Sequence, residues 1–178
     1  MSETTLKHKA EAPKNLNFAV ITCSTSRYKK YVETGKLDDE TGDLIIRVLR
    51  ENGHKVSMRK IVSDDREQIQ KAIMRALKSR KVDAIITCGG TGLSPRDITI
   101  EAIHPLFEKE IPGFGEIFRM LSYREIGSAV VITRATAGVA GGKVIFCLPG
   151  SPQSALLALK EIILPEVGHI IKHIREEP

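Results

Sequence analysis

The segment VDAIITCGGTGLSPRD, residues 82–97, passes from an apolar, β-branched run directly into three glycines and then into an Arg-Asp pair. Its apolar part, residues 82–87, predicts a buried strand, and a helix is expected to begin near Ile98. A strand that leads through a short loop into a helix is the repeating unit of sheets with parallel strands. The segment therefore indicates an α/β architecture.

The same alternation of strand and helix patterns continues on both sides of this segment. Ser63, Asp64 and Asp65 offer N-cap oxygens to a helix with one apolar face, and Glu67 stands in capping-box spacing from Asp64. The alternation predicts a three-layer α-β-α fold, with a mostly parallel central sheet and helices on both faces. Further strands are expected at residues 17–23, 54–62, 129–133 and 143–148, a polar loop after residue 23, and further helices at residues 41–52, 115–125 and 152–164.

Length and composition predict a single folded domain. The 178 residues fit one domain, expected at residues 17–178, and the polar opening at residues 1–16 predicts a mobile arm rather than a secretory signal. None of the apolar runs approaches the roughly 18 residues that are needed to cross a bilayer. We therefore expect a cytoplasmic protein that is not embedded in a membrane.

The charge balance favours anionic partners. A net charge of +5 suits both nucleic acid and phosphorylated small molecules. Aromatic residues make up only 4% of the chain and Trp is absent, so the stacking surfaces that single-strand binders use are scarce. Phosphates on a small molecule are the better match, and a nucleic-acid partner is not expected.

Several residues with reactive or ligating side chains are better explained by structure than by chemistry. The three cysteines each follow an apolar run, which predicts packing in the core. His169 and His173 are one helical turn apart but lack the Glu of the H-E-x-x-H zinc motif, which disfavours a metal role. The acidic run at residues 38–40 predicts a solvated loop. The cysteines are Cys23, Cys88 and Cys147.

The loop after the strand at residues 82–87 carries the strongest functional pattern. Gly89, Gly90 and Gly92 let backbone N–H groups approach a ligand closely. Thr91 and Ser94 add hydroxyl donors, and Arg96 adds a cation next to a helix N-terminus. The pattern predicts a phosphate cradle, and the alternative is a flexible strand-to-helix turn. It is neither a dinucleotide fingerprint, because Pro95 occupies the last glycine position, nor a P-loop.

Two aspartates follow strands that are expected to end at the same edge of the sheet. Asp64 follows one strand and Asp97 closes the glycine loop, so both can face one cleft. Carboxylates beside bound phosphates repel them unless Mg²⁺ lies between, or unless one carboxylate polarises an attacking oxygen. The alternative is that each aspartate only caps the helix that follows it.

Two further loops open helices and are candidate ligand contacts. The turn made by Gly113, Phe114, Gly115 and Glu116 presents either Phe114 or the following N–H groups, and the alternative is a helix entry with Phe114 in the core. Pro149, Gly150 and Ser151 follow the last strand, where they form either a second anion site or an ordinary connection.

Taken in order, these loops resemble the MoaB/Mog family of molybdenum cofactor biosynthesis proteins, over nearly the whole chain from about residue 16. Residues 118–122 and 135–139 look most like the MoaB branch. Thr25 stands where many members of the family carry an Asp. The matching pieces are Ser24 and residues 39–42, 63–65, 87–97, 112–116, 120–122 and 148–152.

The resemblance implies a molybdopterin-binding, MogA-like fold and the Mg²⁺- and ATP-dependent transfer of AMP to molybdopterin, with release of pyrophosphate. It also implies a trimer or hexamer and hand-off of the product to an enzyme that inserts molybdenum or tungsten. The alternatives are a non-catalytic molybdopterin carrier and a domain like those of competence-damage proteins. By resemblance Asp64 and Asp97 are catalytic and hold Mg²⁺, residues 89–92 with Ser94 and Arg96 bind nucleotide, and Ser24, residues 113–116 and residues 149–151 bind the pterin.

Overall fold

A six-stranded sheet forms the centre of the computed structural model, which describes residues 12–176. Its strands are β1 (Asn17–Cys23), β2 (Lys55–Val62), β3 (Ala84–Cys88), β4 (Lys109–Glu110), β5 (Thr136–Ala140) and β6 (Lys143–Leu148). Their order in the sheet is β2-β1-β3-β6-β5-β4. The first four strands in this order are parallel, whereas β5 pairs antiparallel with both β6 and β4. The mostly parallel sheet predicted from the sequence is confirmed.

Helices cover both faces of the sheet, as expected. The last helical segment runs from Pro152–Ala158 through a π-helical turn at Leu159–Ile163 into Leu164–Arg175, and short 3₁₀ turns lie at His104–Leu106 and Gly127–Ile132. Among residues 12–176 no helix is long and apolar enough to span a membrane. The helices are α1 (Thr25–Thr34), α2 (Glu40–Glu51), α3 (Arg66–Lys78), α4 (Thr99–Ile103), α5 (Pro112–Ile126), α6 (Pro152–Ala158) and α7 (Leu164–Arg175).

Alternate residues of each central strand enter two separate cores, because side chains of a strand point to opposite faces of the sheet. On one face, Phe18 and Ile86 pack with residues of α2, α5, α6 and α7. On the other, Ile21 and Ile85 pack with α3 and α4. Both faces of β1 and β3 are therefore buried, which explains their nearly continuous apolar sequence.

Two segments have a different structure from the one predicted for them. The apolar residues 129–133 do not form a strand, and Val131 in the 3₁₀ turn Gly127–Ile132 is 83% exposed. The strand lies at Thr136–Ala140 instead, where Gly138 packs against the ring of Phe107 so closely that no Cβ would fit. Close packing overrides the weak strand propensity of these small residues.

The second difference lies directly after β1, where a polar loop was expected and the chain forms α1. Ser24 is its N-cap and accepts a hydrogen bond from the Arg27 backbone N–H, and the helix ends at Gly35 with a φ of 67°. No residue of α1 is buried, so its sequence lacks the apolar periodicity that predicts a helix.

Residue 16 belongs to the packed body rather than to the mobile arm that was expected at residues 1–16. Leu16 is buried, and its carbonyl accepts a hydrogen bond from the N–H of Lys55 at 2.8 Å. The first eleven residues of the expected arm lie outside the described residues.

Candidate active site

Four loops meet at the carboxyl edge of the parallel strands, where ligands bind in open α/β sheets. The Ser24 N–H donates to the Val62 carbonyl at 2.9 Å, which joins the loops after β1 and β2. The Gly89 N–H donates to the Leu148 carbonyl at 3.1 Å, which joins the loops after β3 and β6. Gly90 also lies beside Asp64 Oδ1, so the loops after β1, β2, β3 and β6 lie together at this edge of the sheet.

The glycine loop has a backbone that only glycine adopts easily. Gly89 and Gly90 have φ values of +94° and +61°, which L-residues rarely adopt. A Cβ on Gly89 would lie 2.3 Å from the Cys23 carbonyl oxygen. A Cβ on Gly90 would lie 2.4 Å from Thr99 Oγ1 and 2.7 Å from Asp64 Oδ1. The two glycines are thus required by conformation and by close neighbours, which are the backbone of Cys23 at Gly89 and two side chains at Gly90.

One carboxylate oxygen of Asp64 is fixed by two hydrogen bonds, and the other has no hydrogen-bond partner. Its Oδ2 accepts hydrogen bonds from the Thr25 N–H and the Thr25 Oγ1, both at 2.8 Å. Its Oδ1 is buried without a hydrogen-bond partner and lies beside Gly90. The N-cap of α3 is Asp65, which accepts from the Gln68 N–H at 2.9 Å. The alternative that Asp64 serves only as a helix cap is therefore wrong.

Asp97 folds back on the glycine loop that it closes. Its Oδ2 accepts a hydrogen bond from the Ser94 N–H at 3.0 Å, and its own N–H donates to the Ser94 carbonyl at 2.8 Å. A Cβ on Gly92 would lie 2.7 Å from the same Oδ2. The helix α4 begins after Ile98 without a side-chain cap, so Asp97 does not cap it. Asp64 and Asp97 consequently flank the same short stretch of loop, at Gly90 and Gly92.

The free oxygen of Asp64 is the feature of this site that fits a cation. A buried carboxylate oxygen without a hydrogen bond is costly unless a ligand, water or ion satisfies it. Mg²⁺ is commonly held by one or two carboxylates together with substrate phosphates. Within residues 12–176 no three His, Cys, Asp or Glu side chains are grouped to hold a metal on their own.

An arginine that the sequence analysis did not single out fixes the other side of the glycine loop. Arg134 Nε donates to the Thr91 carbonyl at 2.9 Å. Its two terminal nitrogens bind both carboxylate oxygens of Glu101, at 2.6 and 3.0 Å. This pairing raises the pKa of Arg134 and lowers that of Glu101. Arg134 adjoins the matching segment at residues 135–139, but no pattern in that segment indicates its role.

A cavity of about 430 Å³ lies next to Arg134 and contains part of the turn that opens α5. Gly115, Glu116 and Arg119 line it. Phe114 does not, because it is 3% exposed and stacks on Phe118 in the core. The prediction that Phe114 contacts the pterin is therefore not supported, and the alternative of a core position is the one observed.

The loop after β6 is positioned by α2. Thr41 Oγ1 donates to the Gly150 carbonyl at 2.8 Å. Ser151 is the N-cap of α6, and its exposed hydroxyl accepts from the Ser154 N–H at 3.2 Å. The loop therefore presents Ser151 at a helix N-terminus on the same edge as the glycine loop.

Asp39 was expected in a solvated loop and is instead buried. It caps α2 by accepting from the Gly42 N–H at 3.1 Å, and it accepts from Thr22 Oγ1 at 2.7 Å. Arg59 pairs with it at 3.4 Å. The carboxylate is buried because these partners replace its water, and it links β1 and β2 to the helix that holds Gly150.

The cysteines cannot supply a nucleophile. All three are buried and free of disulfides. Burial raises the pKa of Cys88 and of Cys147 to about 12 and raises that of Cys23 as well. Because the thiolate is the reactive form, the chemistry of the site must rest on oxygen and nitrogen groups.

Comparison with known proteins identifies relatives over almost the full length. A family model described as "Probable molybdopterin binding domain" matches residues 19–169. A protein of Pyrococcus furiosus named molybdopterin adenylyltransferase is 48% identical over 174 residues, which cover 96% of this chain and 98% of that protein. The molybdenum cofactor biosynthesis protein B of Bacillus subtilis is 44% identical over 172 residues, 96% of this chain and 97% of the relative.

Solved structures show the same relationship. The crystal structure of the tungsten cofactor synthesizing protein MoaB from Pyrococcus furiosus superposes with a TM-score of 0.83 at 47% identity, covering 93% of this chain and all of the other. A crystal structure of a molybdenum cofactor biosynthesis protein B superposes with a TM-score of 0.85 at 43% identity, over 94% of this chain and all of the other.

Proposed function

Since the chain belongs to the molybdopterin-binding family of molybdenum cofactor biosynthesis proteins, we propose that it is a molybdopterin adenylyltransferase. A phosphate oxygen of molybdopterin forms a bond to the α-phosphorus of ATP, and the bond from that phosphorus to the departing pyrophosphate breaks. The products are adenylyl-molybdopterin and pyrophosphate. The metal added later is molybdenum or tungsten, and an enzyme that inserts it consumes the product.

The buried, unpartnered Oδ1 of Asp64 beside Gly90 is the observation that carries this proposal. Thr25 fixes the other oxygen with two hydrogen bonds of 2.8 Å, so Oδ1 is aimed before any ligand arrives. Transfer between phosphates requires mainly positioning and neutralisation of charge, not a covalent nucleophile. A preorganised carboxylate at a glycine loop meets that requirement.

Asp64 and Asp97 are the residues that would hold Mg²⁺, which when bound neutralises phosphate charge. Without a cation the two carboxylates would repel the ligand. Backbone N–H groups of residues 90–92 approach the nucleotide phosphates, because the glycines there lack side chains. The N–H of Gly89 is already bound to the Leu148 carbonyl, so Gly89 contributes the close approach of its backbone. Arg96 and Ser94 are exposed on the same loop. Arg96 adds a positive charge there, and Ser94 adds a hydroxyl.

Molybdopterin is assigned to the surfaces beside the nucleotide. The cavity of about 430 Å³ offers Gly115, Glu116 and Arg134, and the loop after β6 offers Pro149 to Ser151. Ser24 is the N-cap of α1 and directly precedes Thr25, which binds Asp64, and Gly113 lies in the first turn of α5. Thr41 keeps the β6 loop in place through the Gly150 carbonyl.

The chain is also expected to assemble as a trimer or hexamer in the cytoplasm. The observation that supports assembly is an exposed apolar strip along α5 and the 3₁₀ turn after it. Monomers rarely expose such continuous apolar surface. Light scattering measures the mass directly. The strip consists of Ile117, Met120, Tyr123, Ile126, Val131 and Ile132, each 45–83% exposed in a single chain.

Pyrophosphate release by the purified full-length protein, given ATP, Mg²⁺ and molybdopterin, tests the proposed reaction. We expect Asp97→Asn to keep its fold and its affinity for molybdopterin while release falls by orders of magnitude. Asp38→Asn is the matched control, because it removes an exposed carboxylate that pairs only with Lys30 among the contacts of the described residues. Molybdopterin binding without release in the native protein would favour a carrier, and full release by Asp97→Asn would contradict the mechanism.

A further inference from the structure

Arg119 of α5 is a partly buried arginine without a counter-ion. Its side chain lines the cavity of about 430 Å³ together with Arg134. Arg134 is paired with Glu101, whereas the guanidinium of Arg119 forms no hydrogen bond or ion pair with any of the described residues. An arginine remains charged in proteins, and removing its charge from water is costly unless a partner meets it. The position of Arg119 therefore favours an anionic ligand in the cavity.

The guanidinium of Arg119 packs against a glycine that lies one helical turn earlier. A Cβ on Gly115 would lie 3.0 and 3.3 Å from the two terminal nitrogens of Arg119, so a side chain at this position would crowd the guanidinium. The same Cβ would lie 2.7 Å from the Ala135 carbonyl oxygen. The guanidinium thus lies over the backbone of Gly115 at the wall of the cavity, and it does not extend away from the helix into solvent.

Two carboxylates line the same cavity, and neither neutralises Arg119. Glu110 accepts a hydrogen bond from Thr136 Oγ1 at 3.1 Å and pairs with His104 at 3.5 Å. Glu116 is exposed and forms no ion pair with Arg119. The negative charges of both glutamates disfavour a triphosphate, but their oxygens accept hydrogen bonds from amino and N–H groups. The lining therefore suits a ligand with a single phosphate and several N–H donors, which describes a phosphorylated pterin.

The cavity adjoins the segment that holds the glycine loop. The carbonyl of Ala135, which faces Gly115, belongs to the residue directly after Arg134. Arg134 Nε donates to the Thr91 carbonyl at 2.9 Å, in the centre of the glycine loop. A phosphate bound to Arg119 is therefore placed beside the loop to which the nucleotide phosphates are assigned.

We propose that the guanidinium of Arg119, packed against Gly115, binds the phosphate group of molybdopterin in this cavity. The planar guanidinium presents paired N–H donors that match two oxygens of one phosphate, and such charge-assisted hydrogen bonds are short and strong. The identity of the ligand rests on the proposed function, whereas the preference for an anion comes from the unpaired charge of Arg119. The role of Arg119 is to hold the phosphate that accepts AMP.

Calorimetric titration of the full-length protein with molybdopterin and with dephosphorylated molybdopterin, in the absence of ATP, tests this contact. We expect Arg119→Met to weaken molybdopterin binding by about tenfold or more, as for loss of a charge-assisted hydrogen bond. Arg119→Lys should weaken it less, because lysine keeps the charge but lacks the planar fork. Arg124→Met is the matched control, since it removes an exposed arginine from the same helix, and it should change the affinity less than about twofold. Circular dichroism checks that each variant is folded.

The dephosphorylated ligand shows which part of molybdopterin Arg119 contacts. Native protein should bind it more weakly than molybdopterin, whereas Arg119→Met should bind the two forms equally. The proposal is overturned if the losses from the two changes add, if Arg119→Met binds molybdopterin as the native protein does, or if its affinity for ATP falls instead. Molybdopterin binding that depends on Arg119, without pyrophosphate release by the native protein, would support this contact and contradict the proposed adenylyl transfer. Pyrophosphate release by the native protein, with unchanged molybdopterin binding by Arg119→Met, would do the reverse.

Discussion

Replacement of Gly90 by alanine, compared with the same change at Gly35, measures how much stability the close contacts of the glycine loop remove. The comparison subtracts the general cost of a side chain in a left-handed backbone. Gly90 has a φ of +61°, and its new Cβ would lie 2.4 Å from Thr99 Oγ1 and 2.7 Å from Asp64 Oδ1. Ordinary contacts of a Cβ lie at 3.4–4 Å. Gly35 is a matched control, because its φ is +67° and no atom lies within 4 Å of a Cβ placed there.

Both substitutions carry the free-energy cost of a left-handed backbone, but only Gly90→Ala also places its Cβ too close to other atoms. A left-handed conformation costs a residue with a Cβ about 1–2 kcal/mol, which is the whole loss expected for Gly35→Ala. In Gly90→Ala, Asp64 must also rotate away, and this weakens the hydrogen bonds from Thr25, each worth about 1.5–3 kcal/mol to a charged acceptor. If the equivalent of one of these bonds is lost, Gly90→Ala should lose about 3–5 kcal/mol in total.

Urea unfolding followed by circular dichroism gives the two stabilities, and pyrophosphate release gives the two rates. Gly35→Ala should keep the native rate, whereas Gly90→Ala should lose release even at temperatures where it remains folded, because Asp64 Oδ1 has moved. Equal stability losses in the two variants, together with native release by Gly90→Ala, would refute the described convergence of Asp64 and Thr99 on Gly90.

Three other predictions concern the supporting residues. Asp65→Ala should lower the free energy of unfolding by about 1 kcal/mol, because it removes the α3 cap, and it should leave pyrophosphate release intact. Asp64→Asn should abolish release. Urea titration and the release assay measure both effects, and loss of release in Asp65→Ala but not in Asp64→Asn would contradict these roles. Thr41→Val loses a hydrogen bond of 2.8 Å to the β6 loop, which should lower the free energy of unfolding by about 1 kcal/mol. It should also raise KM for molybdopterin more than it lowers kcat. Unchanged kinetics would exclude a positioning role for Thr41. Burial raises the pKa of Cys88 and Cys147 to about 12, so at pH 8 a chromogenic disulfide should label these thiols only after denaturation, and rapid labelling of folded protein would contradict their burial.

Each segment that the sequence predicted wrongly has a physical reason for the difference. The helix α1 buries no residue, so its stability does not leave an apolar period in the sequence. Residues 129–133 are mostly apolar and β-branched but do not enter the sheet, and Val131 and Ile132 among them are exposed. Asp39 has the composition of a solvated loop, yet it is buried because Thr22 and Arg59 lie against it.

The sequence by itself determined the alternation of strands and helices, the ends of the parallel strands and the glycine loop, because apolar period and glycine content are local properties. It also placed Asp64 and Asp97 at one edge of the sheet. The tertiary structure alone decided how these groups are held. Thr25 meets Asp64 across 39 positions and Arg134 meets Thr91 across 43, and such contacts arise only when separate strands and helices pack together. For the same reason only the structure could show that one oxygen of Asp64 has no hydrogen-bond partner, since this depends on every neighbour the fold brings to it.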